Sequence, residues 1–175
     1  MNPFNFQLWI LIIATATVLS AAINDYRTRL IPNAITFAAM LAGLAMHGLH
    51  SGWNGLFFSL SGLAAGGGLL LVFYLLGGMG AGDVKLLAGV GALLGAEKIF
   101  AVFVLTVIAG GVMAAGQIAI EHSLKNIFTR IKNFAVVWSA NNYFSVDDRI
   151  NVSSKNTLPY GVAIAIGTLT AFITH

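Results

Sequence analysis

The sequence predicts an all-α integral membrane protein with six transmembrane helices and an amphipathic helix on the cytoplasmic face of the membrane. Of its 175 residues, 58% are hydrophobic and only 9% are charged, and the mean hydropathy is +0.86. A soluble domain has about 25% charged residues, so this chain has too few to cover a water-exposed surface. We expect residues 1–175 to form one polytopic membrane domain, in which the 20 glycines let helices pack closely.

Six apolar runs supply the six predicted helices. Their bounds are 7–23, 34–49, 55–76, 84–96, 98–120 and 158–173. A spanning helix needs about 20 residues, so the third and fifth runs are long enough, the first two are marginal, and the fourth and last are short. A cleaved signal peptide is the alternative for the first run. The first ten residues contain no Lys or Arg, however, and this favours a genuine first helix.

The basic residues predict the orientation of these helices. If successive loops alternate between the two sides of the membrane, eight of the nine Lys and Arg residues fall on one side and only Lys98 falls on the other. Cytoplasmic loops are enriched in Lys and Arg, so the side with eight is predicted to face the cytoplasm. Both termini are then expected outside, in a multi-pass protein of the cell membrane.

The longest predicted loop, residues 121–157, contains the amphipathic helix. Its apolar residues recur at spacings of three and four, with Lys125, Arg130 and Lys132 between them. The apolar positions are Leu124, Ile127, Phe128, Ile131, Phe134, Val137 and Trp138. This pattern is typical of a helix that lies on a membrane with its cations near anionic headgroups. The segment is either a linker anchored to lipid or a platform for a membrane-bound substrate.

The composition excludes several kinds of site. The chain has no cysteine, which excludes disulfides, thiol catalysis and cysteine-ligated zinc. The four histidines form no metal-ligand motif, so we expect neither a metal ion nor a cofactor; they are His47, His50, His122 and His175. The net charge of +3 comes from basic residues scattered among loops, which argues for membrane topology and against nucleic-acid binding.

Two aspartates carry the strongest functional signal, because each lies where a long apolar run meets a short polar loop. Asp25 ends the first run, and Pro32 and Asn33 open the second, where Pro32 disfavours helix before it and Asn33 can cap the helix that follows. Asp83 precedes the fourth run, in the segment Gly80–Lys85. Considered singly, Asp25 is explained by a topology loop and Asp83 by a helix cap.

Considered together, two carboxylates at one membrane edge predict a catalytic pair. Two carboxyl groups that share a proton can activate water against a peptide carbonyl, because like charges close together cannot both ionise. Gly80 and Gly82 leave the backbone before Asp83 free of side chains, for close approach of another segment or for a positive φ. A non-enzymatic ion or proton conduit is the alternative, since intramembrane acids also mark ion pathways.

Three motifs, taken in order along the chain, resemble those of the type IV prepilin peptidases, which are polytopic aspartyl proteases of the GxGD kind. They are Asp25 followed by Ile31-Pro32-Asn33, the segment Gly80–Lys85, and the closing segment Leu158–Gly167. The resemblance implies that Asp25 and Asp83 are catalytic. The residues it assigns to the substrate and active-site loops are Gly80, Gly82, Lys85, Pro32 and Asn33. Lys85 either favours ionisation of the pair or holds its loop in the cytoplasm.

The resemblance also implies a reaction and a partner: cleavage of the short basic leader of a prepilin or pilin-like precursor, after a glycine, on the cytoplasmic side. Large bifunctional members carry paired CxxC motifs linked to N-methylation of the new amino terminus. With no cysteine and a first loop of nine residues (24–32), this chain resembles the compact Tad/Cpa type that processes Flp-class pilins. Cleavage without methyl transfer is therefore implied, with a preflagellin peptidase or another GxGD protease as the alternative.

Overall fold

The computed structural model describes residues 3–75, 78–121 and 158–174. Within these ranges the chain forms four helices and no strand, which confirms the predicted all-helical class. The helices are α1 (Pro3–Thr28), α2 (Asn33–Leu75), α3 (Ala81–Glu121) and α4 (Tyr160–Thr174). The amphipathic helix predicted around residues 124–138 lies outside the described residues.

The described helices have the length and surface of membrane-spanning helices. Three stretches are long and apolar enough to cross a bilayer, namely Phe4–Thr28, Asn33–Leu75 and Ala81–Gly116, and Tyr160–Ile173 is a shorter apolar helix. Large apolar side chains such as Trp9, Phe57 and Phe100 are exposed on their outer surface. So much exposed apolar area is unfavourable in water and favourable in lipid, which identifies a membrane protein.

Single glycines break α2 and α3 into two helical segments each. α2 has 43 residues, and a straight helix of that length would measure about 65 Å, roughly twice the hydrocarbon thickness of a bilayer. The backbone leaves the helical region at Gly52 (φ 58°, ψ −135°) and Gly95 (φ 83°, ψ 168°). Glycine adopts a positive φ without steric cost, so one residue is enough for each break. The segments are α2a (33–51), α2b (53–75), α3a (81–94) and α3b (96–121).

Contacts between these segments show that the chain reverses direction at both glycines. The pairs are Gly43–Ala92 and Gly89–Ala39 between α2a and α3a, Gly62–Gly91 and Gly66–Leu87 between α2b and α3a, and Gly91–Ile99 between α3a and α3b. Their order along the chain makes α2a parallel to α3a and α2b antiparallel to it. In the described part of the chain, six helical segments therefore follow one another in the order of the six predicted apolar runs.

The segment α3a lies at the centre of the packing. Every residue from 86 to 95 is buried, as expected for a helix that is apolar all round. At the crossing with α2b, a Cβ added to Gly62 or to Gly91 would overlap the backbone carbonyl oxygen of the other glycine. The two backbones are thus in direct contact, a close approach that small residues permit in membrane helices. Asp83 lies in the first turn of this central helix.

The antiparallel packing gives the bundle two distinct ends. Phe6, near the start of α1, contacts His47 near the end of α2a, whereas Asp25, near the end of α1, bonds to Gly161 at the start of α4. We call the end with Asp25, Asp83 and Gly161 the aspartate end. The end with His47, Gly52 and Gly95 is the histidine end.

The chain divides into two compact units, Met1–Gly110 with Pro159–His175, and Gly111–Leu158. All contacts between helical segments given above lie in the first unit. Of the second unit, the structure describes Leu158 and the last part of α3, residues 111–121. The expectation that residues 1–175 form a single domain stays a prediction.

Candidate active site

Asp25 lies in the last turn of α1, four residues before Arg29, which terminates the helix. Arg29 has a positive φ of 56°, and its N–H donates to the carbonyl oxygen of Asp25 at 2.9 Å. This is the αL motif that ends many helices, here without the usual glycine. The Asp25 side chain is only 5% exposed, and its Oδ2 accepts a hydrogen bond from the Gly161 N–H at 2.7 Å. A buried carboxylate needs such a donor, because burying it without one is costly.

Asp83 is held by the turn that precedes it. α3 begins at Ala81, three residues before the predicted run, so Asp83 is inside the first turn and does not occupy the cap position itself. Its Oδ2 accepts a hydrogen bond from the Gly80 N–H at 3.0 Å, while its own N–H donates to the Gly80 carbonyl oxygen at 3.2 Å. The carboxylate thus reaches back like the acidic member of a capping box. The side chain is 7% exposed.

The two carboxylates lie close enough for their charges to repel each other. A packing contact holds the segments that carry the two aspartates together: Ile31, which follows α1, packs against Gly82, which immediately precedes Asp83. Arg29 contributes a positive charge near Asp25. Like charges in a buried site do not both ionise readily.

The two glycines before Asp83 have different neighbours. A Cβ added to Gly82 would lie 3.1 Å from the Ile31 Cβ, and one added to Gly80 would lie 3.4 Å from Asp83 Oδ2. Of the two alternatives predicted for these glycines, the close approach of another segment is found at Gly82, and a positive φ is found at neither. Among the described glycines, a positive φ occurs at Gly52 and Gly95, where the helices break.

Lys85 and Asn33 connect the first turns of α3a and α2a. The Lys85 Nζ donates to Asn33 Oδ1 at 3.0 Å and lies 5.7 Å from the centre of the Phe37 ring. Pro32 precedes α2a, and its carbonyl oxygen accepts a hydrogen bond from the Ile35 N–H at 3.1 Å. The structure thus places all seven site residues predicted from the sequence at the aspartate end; they are Asp25, Pro32, Asn33, Gly80, Gly82, Asp83 and Lys85.

A family model described as the type IV leader peptidase family matches residues 12–115, which is more than half of the chain and includes both aspartates. The chain belongs to the type IV leader peptidase family. The family resemblance drawn from the motifs is thereby confirmed, and the protein is a peptidase of the type IV leader peptidase kind. No curated protein and no solved structure matches the chain.

Two residues at the aspartate end of this type IV leader peptidase family member were not identified from the sequence. Gly161 donates its N–H to Asp25, and the neighbouring Tyr160 interacts electrostatically with Asp83. Both lie beyond residue 115, where the family match ends. The closing Pro-Tyr-Gly motif was noted, but a backbone N–H carries no sequence signal of its own, so no role could be assigned.

At the histidine end of this protein, the histidine side chains make packing and hydrogen-bonding contacts between helices. The His47 Nε2 donates to the Leu93 carbonyl oxygen at 2.9 Å, just before α3a breaks at Gly95. Phe6 stacks on His50 with ring centroids 4.0 Å apart. Within the part of the chain that the structure describes, no three His, Asp or Glu residues are grouped as metal ligands would be.

Proposed function

We propose that the protein is a membrane aspartyl endopeptidase that removes the short basic leader of Flp-class type IV prepilins, after a glycine, without N-methylation. The observation that carries this proposal is a pair of interacting, buried carboxylates at one end of an apolar helix bundle. Each carboxylate has one oxygen held by a backbone N–H. Membership of a leader peptidase family supplies the class of reaction.

In the proposed reaction, one aspartate is ionised and the other is protonated, with a water molecule between them. The ionised carboxylate takes a proton from the water as the water oxygen attacks the peptide carbonyl carbon. The protonated carboxyl gives its proton to the carbonyl oxygen, which yields a neutral tetrahedral diol. Collapse of the diol breaks the C–N bond. The carboxyl that took the water proton gives it to the leaving amine, and one diol hydroxyl gives its proton to the other carboxylate as the new carboxylic acid forms, so that the pair again holds one proton.

The proposal also covers the arrangement of the protein in the membrane. We propose that the six helical segments each cross the bilayer, with the aspartate end at the cytoplasmic face. Arg27, Arg29 and Lys85 lie at that end, and Lys98 lies three residues after Gly95 at the histidine end. This distribution agrees with the enrichment of Lys and Arg in cytoplasmic loops.

The position of the site supports the proposed substrate class. A catalytic pair at the membrane edge suits a bond between a polar leader and a hydrophobic helix that stays in lipid. The Flp class and the absence of methyl transfer are supported by the nine-residue first loop (24–32) and by the absence of cysteine, which the paired CxxC region of bifunctional members would need. A preflagellin peptidase would use the same chemistry on a different precursor.

The test is co-expression with a tagged Flp-type prepilin, comparing the wild type with Asp25→Asn and Asp83→Asn. Glu97→Gln is the matched control, because it removes a carboxylate that is exposed at the histidine end. The wild type and the control are expected to yield a shorter pilin with a new, unmethylated N-terminus after glycine. Both Asn variants are expected to reach the membrane and leave the precursor uncut.

Each contrary outcome removes a different part of the proposal. Substantial cleavage by either Asn variant contradicts the shared-water mechanism. A precursor left uncut by the wild type, with both proteins in the membrane, contradicts the Flp class, and a preflagellin is then the next substrate to offer. Methylation of the new N-terminus by the purified protein contradicts a cleavage-only enzyme.

A further inference from the structure

We infer that Gly161 is a positioning residue for Asp25, so that the start of α4 is a third element of the active site beside the end of α1 and the start of α3a. The inference rests on the proposed function and deepens it, because it adds a residue that lies 136 positions from its partner and beyond the matched residues 12–115. Gly161 acts through Asp25 and is not itself in contact with the reacting bond.

The backbone of Gly161 lies directly against the Asp25 carboxyl group. Its N–H donates to Oδ2 at 2.7 Å, and both residues are buried. A Cβ added to Gly161 would lie 3.0 Å from both the Cβ and the Oδ2 of Asp25 and 3.3 Å from its Cγ. Any side chain at this position therefore has to displace the carboxyl group by a few tenths of an ångström. Catalytic groups need placement to within about 0.5 Å.

The hydrogen bond gives a partner to two buried polar groups, the Gly161 N–H and the Asp25 carboxylate. Gly161 is the second residue of α4, so its N–H has no acceptor within the helix. Asp25 supplies that acceptor from α1, and in return the start of α4 places its N–H groups and the positive end of its dipole beside a carboxylate. Asn or Ser would satisfy this N–H equally well, so the choice of a carboxylate exceeds what helix capping requires.

α4 is anchored so that the donor keeps its position. The ring of Tyr160 packs against Gly110 of α3b, where an added Cβ would lie 3.3 Å from a ring carbon. Further along, Gly167 packs against Thr106 so closely that a Cβ there would overlap the Thr106 hydroxyl. These contacts oppose sliding of α4 along α3b. Tyr160 also interacts electrostatically with Asp83, so one turn of α4 faces both carboxylates.

The first test reads the contact without any substrate. The chain has no cysteine, so the double variant Asp25→Cys with Gly161→Cys can report proximity by disulfide formation in membranes. The positions are within reach of a disulfide, whose Cβ atoms lie about 3.8 Å apart. Asp25→Cys with Gly48→Cys is the control, since Gly48 adjoins His47 at the histidine end. A disulfide in the first pair alone is expected, and its absence from that pair overturns the inference.

The second test reads the positioning through cleavage. Gly161→Ala is expected to lower kcat about tenfold with KM unchanged, because a small misplacement of a catalytic group slows chemistry more than binding. Weaker hydrogen bonding to the ionised carboxylate also moves the acidic limb of the kcat–pH profile to higher pH. Gly111→Ala, at an exposed position with no atom near its added Cβ, is the control and should cleave like the wild type.

Tyr160→Phe provides a variant that keeps the packing on Gly110 and removes only the hydroxyl near Asp83. It is expected to leave the disulfide contact intact and to lower kcat without changing KM. If Gly161→Ala has the same kcat as Gly111→Ala, the positioning role is overturned. A raised KM with unchanged kcat in Gly161→Ala overturns it as well. A wild type that cleaves no precursor contradicts the proposed function, while the disulfide test still decides the contact between α1 and α4.

Discussion

The two ends of the bundle solve the same problem with different side chains. Helix termini leave backbone groups without partners, and in an apolar medium each such group is costly. At the histidine end, the imidazole of His47 donates to a carbonyl oxygen near the end of α3a. At the aspartate end, Asp25 and Asp83 accept from N–H groups at the starts of α4 and α3a.

The difference between the ends lies in charge. A single imidazole N–H satisfies a helix terminus at the histidine end, and the neutral side chains Asn or Ser would satisfy one at the aspartate end. Two carboxylates that repel each other are therefore more than helix capping requires there. The acidic groups therefore carry an energetic cost that helix capping does not explain, which is the usual mark of a functional site.

The largest expected effect separates capping from catalysis at the aspartate end. Asp25→Asn and Asp83→Asn each keep an oxygen that can accept the backbone hydrogen bond, so thermal stability in detergent should change little. Cleavage should fall by about 10³-fold or more, because neither variant can complete the acid–base pair. Glu97→Gln should retain wild-type rates. Asn variants that unfold while the residual folded fraction cleaves normally would make the aspartates structural.

Substitution of the glycines that break the helices should cost stability at the histidine end. Gly95→Ala adds a methyl group that overlaps the Phe58 ring at a φ of 83°, and should destabilise the protein by about 2–4 kcal/mol. Gly52→Ala has a φ of 58° and no atom within 4 Å of the added Cβ, so it should cost only the backbone strain, about 1–2 kcal/mol. Equal losses in thermal unfolding would remove the assigned role of the Phe58 contact.

A smaller effect is expected from the hydrogen bond of the histidine end. His47→Phe keeps an aromatic ring beside Phe6 and Phe58 but leaves the Leu93 carbonyl oxygen without its donor. Stability should fall by about 1–2 kcal/mol, the typical cost of an unsatisfied buried acceptor. His50→Phe retains stacking on Phe6 and is the control. Cleavage by folded His47→Phe should match the wild type. Loss of cleavage in a variant with wild-type stability would contradict a purely structural role for the histidine end.

The smallest effect is expected at Lys85. Lys85→Met removes the donor to Asn33 while keeping apolar contact with Phe37, and should cost less than about 1 kcal/mol because the group is partly exposed. Lys98→Met removes an exposed lysine from the histidine end and should be neutral. Cleavage should persist in both variants. Complete loss of cleavage in Lys85→Met with normal stability would move Lys85 into the catalytic machinery.

Much of this arrangement could be predicted from side-chain chemistry. Asp25 and Asp83 stand out because a carboxylate beside an apolar run is expensive, and the structure places both at one end of the bundle. The helical segments also follow the predicted runs. Their bounds differ where glycine is involved: the chain turns at Gly52 and Gly95 with a single residue each, whereas the run pattern suggested a longer loop around residues 50–54.

What escaped prediction is what depends on the backbone. Nothing in the sequence distinguishes Gly95, which adopts a positive φ, from Gly91 in the same apolar run, which lets two helices touch. The start of α3 at Ala81 was missed because a first helical turn needs no apolar residue. Gly161 was missed because its contribution is an N–H that every residue but proline has, placed by the tertiary fold.

The direct contact of backbones at Gly62 and Gly91 has a consequence for how the protein tolerates change. Side chains between two helices can change rotamer when a neighbour is replaced. Where backbone packs directly against backbone, no such adjustment is available. The position of α3a, and with it that of Asp83, is therefore set by a contact between backbones. Replacement of the surrounding leucines should change it little. We therefore expect one methyl group added at a helix crossing to destabilise the protein more than the removal of several methyl groups from its outer surface.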